Sequence, residues 1–157
     1  MLLPSVCCLL ILLLVISTTG CRRGGEPGTL VIAVEEAPRG FDPRFSTTFP
    51  TSARVMQLIY DTLVVKDDKF EFVPSLAEKL DESEDHKTFV FHLHQGVKFH
   101  RGKALTSADV KYTFDSILSP ATQSPIRGAV DKITSIEAPD PATVVFRASE
   151  PYYTFIG

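Results

Sequence analysis

The sequence predicts an α/β fold, and three observations carry that prediction. Phe89, Phe91 and Leu93 alternate with Val90, His92 and His94, the period of a strand with one face in a core. Two stretches instead repeat at helical spacing: Val55, Met56, Ile59, Tyr60 and Leu63, then Val110, Phe114, Ile117 and Leu118. Turn chemistry separates the runs at nearly every joint, through glycine, proline and short polar side chains.

The elements follow in order. Residues 29–34 read as a strand that leads into a Pro-rich loop over 37–50. Residues 52–63 read as a helix. Val64-Val65 and residues 70–72 flank the polar Lys66-Asp67-Asp68-Lys69, which predicts a hairpin. Residues 75–80 read as a short helix opened by Pro74-Ser75. After the strand at 89–93, Gln95-Gly96 breaks the run. Val97 and Phe99 resume it, and His100-Arg101-Gly102 closes a polar turn. Thr106 reads as a helix N-cap, with Asp109 three residues on favouring the positive end of the helix dipole. Ser119-Pro120 ends that helix. Residues 132–137 and 143–147 read as two strands joined through Ala138-Pro139-Asp140-Pro141. Tyr152 to Ile156 looks like the start of a further helix.

The stretch from Leu76 to Leu118 resembles the extracytoplasmic solute-binding proteins of ABC importers, in particular the peptide/nickel-binding family. The resemblance stands on Leu76-Ala77-Glu78, Glu84-Asp85, Lys87-Thr88-Phe89, Phe91-His92-Leu93, Gly96-Val97-Lys98-Phe99-His100, Gly102, Leu105-Thr106 and Ala108-Asp109-Val110. Upstream, Phe41-Asp42-Pro43 is similar to the family's "LDP", and residues 59–63 to its "lYexL". Downstream, residues 144–151 are similar to its "tvvf-l-eP". The likeness covers residues 29–157. Leu80 stands where the family usually has tryptophan, His94 where it has arginine, and His86 where it has glycine.

The resemblance implies a two-lobed periplasmic-binding-protein-like fold, of which only the N-terminal part is present. Residues 29–59 would begin the first lobe and residues 60–157 would form the smaller α+β subdomain packed on it. Such proteins close two lobes around a solute by a hinge and deliver it to permease subunits in the membrane. Oligopeptides are the leading ligand class, ahead of nickel chelates and oligosaccharides. Carried over from Asp42-Pro43, the ligand-facing residues would be Thr47, Thr48 and Phe49. Ser124-Pro125 places Ile126 at a second contact, where an aromatic residue would be usual in an oligopeptide binder. The alternative places Phe49 in the core and Ile126 in an ordinary packed loop. The runner-up function is a ligand-sensing or structural surface lipoprotein of the same fold.

The N-terminus suits such a protein. Residues 6–16 are an unbroken apolar run of eleven residues, short for a membrane span but right for the core of a signal peptide. Thr18-Thr19-Gly20-Cys21 follows and resembles a bacterial lipobox. All three cysteines lie within the first 21 residues, so Cys21 would be alone after cleavage, and lipidation explains it. Residues 1–20 would be the signal peptide, and residues 21–28 the lipidated cysteine and a Gly- and Pro-bearing tether. No Lys or Arg precedes the run, and Arg22-Arg23 follow it. An uncleaved anchor or a buried helix is the other reading.

Composition excludes some classes. The net charge of −3 is mild, and no basic stripe suggests nucleic acid. His92 and His94 share a strand face, a spacing that can hold zinc or nickel, yet no third ligand at a fixed offset completes a site. A surface histidine pair is the reading, with no metal and no cofactor. Asp67-Asp68 lacks the further ligands and glycine of a calcium loop. No GxSxG or phosphate-cradling loop is present, and acidic pairs such as Glu35-Glu36 read as solvated surface, so no enzyme is expected.

Overall fold

The computed structural model describes residues 28–29, 31–46 and 48–156. The chain divides into two compact units, Met1–Val34 and Glu35–Gly157. The apolar run at 6–16 and Cys21 lie outside the described residues.

In the first unit, the described residues 31–34 form no strand, against the sequence expectation. Val31, Ile32 and Val34 are exposed. A strand needs a neighbour to take its N–H and C=O groups, and none pairs with these among the described residues.

The second unit opens with two short helices, α1 (Pro43–Ser46) and α2 (Pro50–Met56). The predicted helix at 52–63 therefore starts two residues early and ends seven early. Tight bonds finish it: the N–H groups of Leu58 and Ile59 reach back three residues, to Val55 and Met56. Leu58, Ile59 and Tyr60 are exposed, and only Met56 of the expected stripe is buried. Ile59 and Tyr60 find no packed partner, and Leu63 packs on the sheet core from beyond the helix end, so the stripe is not extended as one helix.

A hairpin follows, β1 (Val64–Lys66) with β2 (Phe72–Pro74), as the polar turn predicts. Phe70 belongs to the turn and not to the strand. It takes φ 64°, a left-handed conformation rare for a bulky residue, and its side chain is exposed.

The core lies under a four-stranded antiparallel sheet in the order β3 (Ala77–Glu82), β4 (Thr88–Leu93), β6 (Thr143–Ala148), β5 (Ile133–Asp140). Residues 75–80 were expected to be helical, but 77–82 form β3. Ala77, Leu80 and Glu82 stand opposite Leu93, Phe91 and Phe89 in the register with β4. The residues Leu76-Ala77-Glu78-Lys79-Leu80 favour helix locally, and pairing to a strongly alternating neighbour overrides that preference. The predicted strand at 97–99 is reduced to one bridge, Lys98 with Ala104. Gly102 at φ 83° closes the turn there, its N–H donating to Phe99 at 2.7 Å.

One face of the sheet is apolar. Phe89, Phe91, Leu93, Val144, Phe146, Ile133 and Ile136 are all buried. Helix α3 (Ser107–Leu118) covers it with Val110, Phe114 and Leu118, Phe114 meeting Phe146 edge-on at 4.9 Å. The predicted helix at 152–156 is a turn instead. It packs Phe155 on Phe89 at 4.9 Å and on Phe146 at 5.2 Å, while the Tyr152 hydroxyl donates to the Ala129 carbonyl. The opposite face carries ion pairs, Lys79–Asp81 at 2.7 Å and Arg147–Glu137 at 2.8 Å, together with the buried Val145. Edge strand β5 carries two register irregularities, near Ser135 and before Asp140.

The start of α3 fulfils its signature. Asp109 accepts from the Thr106 N–H at 3.0 Å while the Thr106 side chain accepts from the Asp109 N–H, completing a capping box, and the Thr106 hydroxyl donates to the Asp109 carboxylate at 2.9 Å. Ser107 ties the same end to the β5–β6 turn, its N–H donating to Pro141 at 2.9 Å and its hydroxyl to Asp140. Asp109→Ala is expected to cost about 1 kcal/mol, read as a lower urea midpoint at unchanged slope. An unchanged midpoint would show that the tether through Ser107 suffices.

Candidate ligand-binding site

Asp42-Pro43 builds a helix start. The Asp42 carbonyl accepts from the N–H groups of Phe45 and Ser46, and its carboxylate accepts from the Arg44 N–H at 3.0 Å. Proline at the first helical position loses nothing, because that N–H has no partner in a helix. Arg44 then forks onto the same carboxylate, Nε to Oδ1 at 3.0 Å and Nη2 to Oδ2 at 2.6 Å. The Arg44 hydrogen bond holds the Asp42 carboxyl below its ordinary value against an opposing burial effect, and Asp42 in turn raises Arg44.

The remaining guanidinium nitrogen leaves this local pair. Nη1 of Arg44 donates to the Ser116 hydroxyl on α3 at 2.7 Å. The Ser124 hydroxyl, itself buried, donates to the Arg44 carbonyl at 2.6 Å. The loop after Asp42-Pro43 and the loop at Ser124-Pro125 are thus joined directly. These are the two segments that the sequence singled out from opposite ends of the chain.

The named residues fall as follows. Thr47 lies outside the described residues. Thr48 is exposed in the turn between α1 and α2. Phe49 is half-buried, caps α2 by accepting the Ala53 N–H at 2.9 Å, and lies under the Arg39 guanidinium at 4.9 Å. Arg39 is fixed in turn by its N–H donating to the fully buried Ser52 hydroxyl at 2.9 Å. Ile126 is half-buried and leads into a 3₁₀ turn, Arg127–Ala129. Phe49 is therefore not a core residue, and neither it nor Ile126 is fully exposed.

Two open clefts flank this region. One of ≈ 330 Å³ is lined by Phe41, Asp42, Arg44, Tyr60 and Tyr112 among others. The other, of ≈ 430 Å³, lies where the end of α3 meets the start of β5 and includes Asp115, Arg127 and Asp131. Neither is lined by Thr48, Phe49 or Ile126. Sequence reasoning missed Arg44, Ser116 and Ser124 as a connected set. Their local signals were the Asp42-Pro43 and Ser124-Pro125 pairs, and nothing in the sequence marked Ser116.

The histidines engage carboxylates. His92 Nε2 lies 3.0 Å from Asp81, and His94, just past β4, lies 3.7 Å from Glu78. Asp81 is shared with Lys79, so His92 faces an acid that already has a cation.

Comparison with known proteins identifies the scaffold. A family model described as bacterial extracellular solute-binding proteins, family 5 Middle, matches residues 71–157. A putative ABC transporter peptide-binding protein of Brucella abortus (strain 2308) is 35% identical over 126 residues, covering 79% of this chain and 24% of that protein. The dipeptide-binding protein of Escherichia coli (strain K12) is 40% identical over 94 residues, covering 55% of this chain and 18% of that protein. The fold matches the crystal structure of NikZ from Campylobacter jejuni in complex with Ni(L-His), with TM-score 0.76 and 28% identity, over 82% of this chain and 25% of that one. The chain spans about a quarter or less of the length of these relatives. The matched region runs from β2 to the aromatic turn at 152–156, more than half of the chain, and by that measure the chain belongs to the bacterial extracellular solute-binding proteins, family 5.

Proposed function

We propose that, within a protein of its relatives' length, this chain supplies part of the first lobe of a substrate-binding lipoprotein of an ABC importer. The carrying observation is the 35% identity to a putative peptide-binding protein along 79% of the chain. Residues 29–59 begin the lobe and residues 60–157 form the α+β subdomain. Cys21 carries the lipid and residues 22–28 hold the body off the membrane, outside the cytoplasm. Oligopeptide is the ligand class, held between lobes by backbone hydrogen bonds in the manner of an added strand. Thr47, Thr48, Phe49 and Ile126 face it from this side, and closure presents the complex to the permease. Half-burial of Phe49 and Ile126 at joined loops supports this, since a ligand-facing side chain needs a fixed base and a free surface.

A nickel chelate is the second ligand class, favoured by the fold match to a protein in complex with Ni(L-His). Calorimetry on the complete gene product separates them. Dipeptides and tripeptides are titrated in one series and nickel with L-histidine in another. Peptide binding at micromolar Kd or tighter, about −8 kcal/mol or better, is the expected result. Heat from the nickel series alone would move the assignment to metal chelates. Residues 22–157 alone are expected to bind no peptide tightly, because the opposite wall of the cleft belongs to the second lobe.

A further inference from the structure

Resting on the reading of residues 47–49 and 126 as ligand-facing, we propose that Arg44 is a positioning residue that locks those two loops into one arrangement, its side chain bonding Asp42 and Ser116 and its main-chain carbonyl accepting from Ser124. Helix α1 has only four residues, too few to hold its own place. Its position must come from tertiary bonds, and Arg44 makes them. The fork onto Asp42 fixes the guanidinium plane, which aims Nη1 at Ser116, 72 residues away. The Arg44 carbonyl accepts from Ser124, 80 residues away and two residues before Ile126. On the other side, Ser46 ends α1, and its carbonyl accepts the Phe49 N–H at 3.2 Å. An unbroken series of hydrogen bonds therefore runs from the loop holding Ile126, through Arg44, to the turn holding Thr48 and Phe49.

The role is geometric more than energetic. Arg44 and Asp42 keep 30% and 41% of their side-chain surface exposed, and such pairs add little to stability. What they supply is direction. A lysine at this position would keep the charge opposite Asp42, but a point charge cannot fork and reach Ser116 together. Arg44→Lys should therefore behave like Arg44→Gln, which a purely electrostatic role does not predict.

The test uses the complete gene product and two readouts, amide hydrogen exchange by mass spectrometry and calorimetric titration with dipeptides and tripeptides. Arg44→Gln and Arg44→Lys, which lose the side-chain bonds to Asp42 and Ser116 but keep the main-chain carbonyl, are each expected to speed exchange in residues 43–49 by about tenfold, the scale of one lost hydrogen bond. Exchange in β4, residues 88–93, stays unchanged. Peptide affinity falls by a similar factor. Ser124→Ala, which removes the hydroxyl that donates to the Arg44 main-chain carbonyl, is expected to loosen residues 43–49 and 124–130 together and guards against a variant that fails to fold. Unchanged exchange in both segments overturns the proposal, as does equal loosening of β4 or rescue by lysine. If the exchange pattern appears but the wild-type protein binds no peptide, the positioning role stands and the peptide reading falls.

Discussion

Phe146→Ala is expected to destabilise the fold by about 3–5 kcal/mol. Phe146 is fully buried on the central strand β6. Its ring meets Phe91 at 5.5 Å, Phe114 at 4.9 Å and Phe155 at 5.2 Å, so one side chain joins β4, α3 and the aromatic turn near residue 155. Truncation removes the transfer energy of a phenyl group and leaves a cavity that three elements line. A sheet cannot collapse into it without breaking the β4–β6 register, in which Phe89 stands opposite Phe146. Edge-on ring contacts add a further share beyond area. The chain contains no tryptophan, so circular dichroism in urea is the suitable readout. Phe146→Leu, which fills most of the volume, should recover more than half of the loss. A cost below about 1 kcal/mol for alanine would mean that the three elements do not share one core.

Acid is expected to unfold the chain earlier than unperturbed carboxylates would allow. Seven carboxyl groups among the described residues are held below their ordinary values. Hydrogen bonds from side chains lead at most of them: Arg44 on Asp42, Lys79 on Asp81, Ser83 on Asp85, Arg147 on Glu137 and Lys132 on Glu150. At Asp140 the Ala142 backbone N–H leads. At Asp109 burial pushes upward, and Lys103 and Thr106 together overcome it. A depressed folded-state value means the native state holds the charged form more tightly than the unfolded chain does. That stability is complete above the ordinary values of 3.8 for Asp and 4.5 for Glu, and it is lost as pH falls through the lower native values. Tm should thus hold steady down to about pH 5 and drop steeply below it. Most of these groups are exposed, so 1 M salt should shrink the drop. Asp109→Asn should shrink it further by removing one contributor. A Tm that stays flat through pH 3 would show that these hydrogen bonds persist in the unfolded chain.

The elements legible in the sequence were those whose pattern and partner both lie within it. The strand at 89–93, the capped helix and the strands near 133 and 143 each bury their stripe against one another. Residues 75–80 misled because local helix preference and strand pairing point in opposite directions, and only the register with β4 decides. Residues 31–34 pair with no strand among the described residues, and Ile59 and Tyr60 of the 52–63 stripe lie exposed, while Leu63 packs on the sheet core outside the helix; periodicity cannot say where such partners lie. His86 shows the reverse case. It stands where the resembled family has glycine, and its φ of 53° shows why glycine suits. Contacts to Glu82 and, at 4.4 Å, to Tyr153 offset the strain. At the candidate site, the resemblance marked two loops, but nothing local could show that Arg44 joins them. Its partners lie 72 and 80 residues away, and serine carries no periodic signal.

The two irregularities in β5 bear on crowding. A regular outer strand offers a neighbouring molecule a continuous row of free N–H and C=O groups, the template for cross-β association. In β5 the row is broken twice, and Pro139 removes one donor outright. A second copy meeting this edge finds a mismatched row, which makes β5 a poor template for sheet extension.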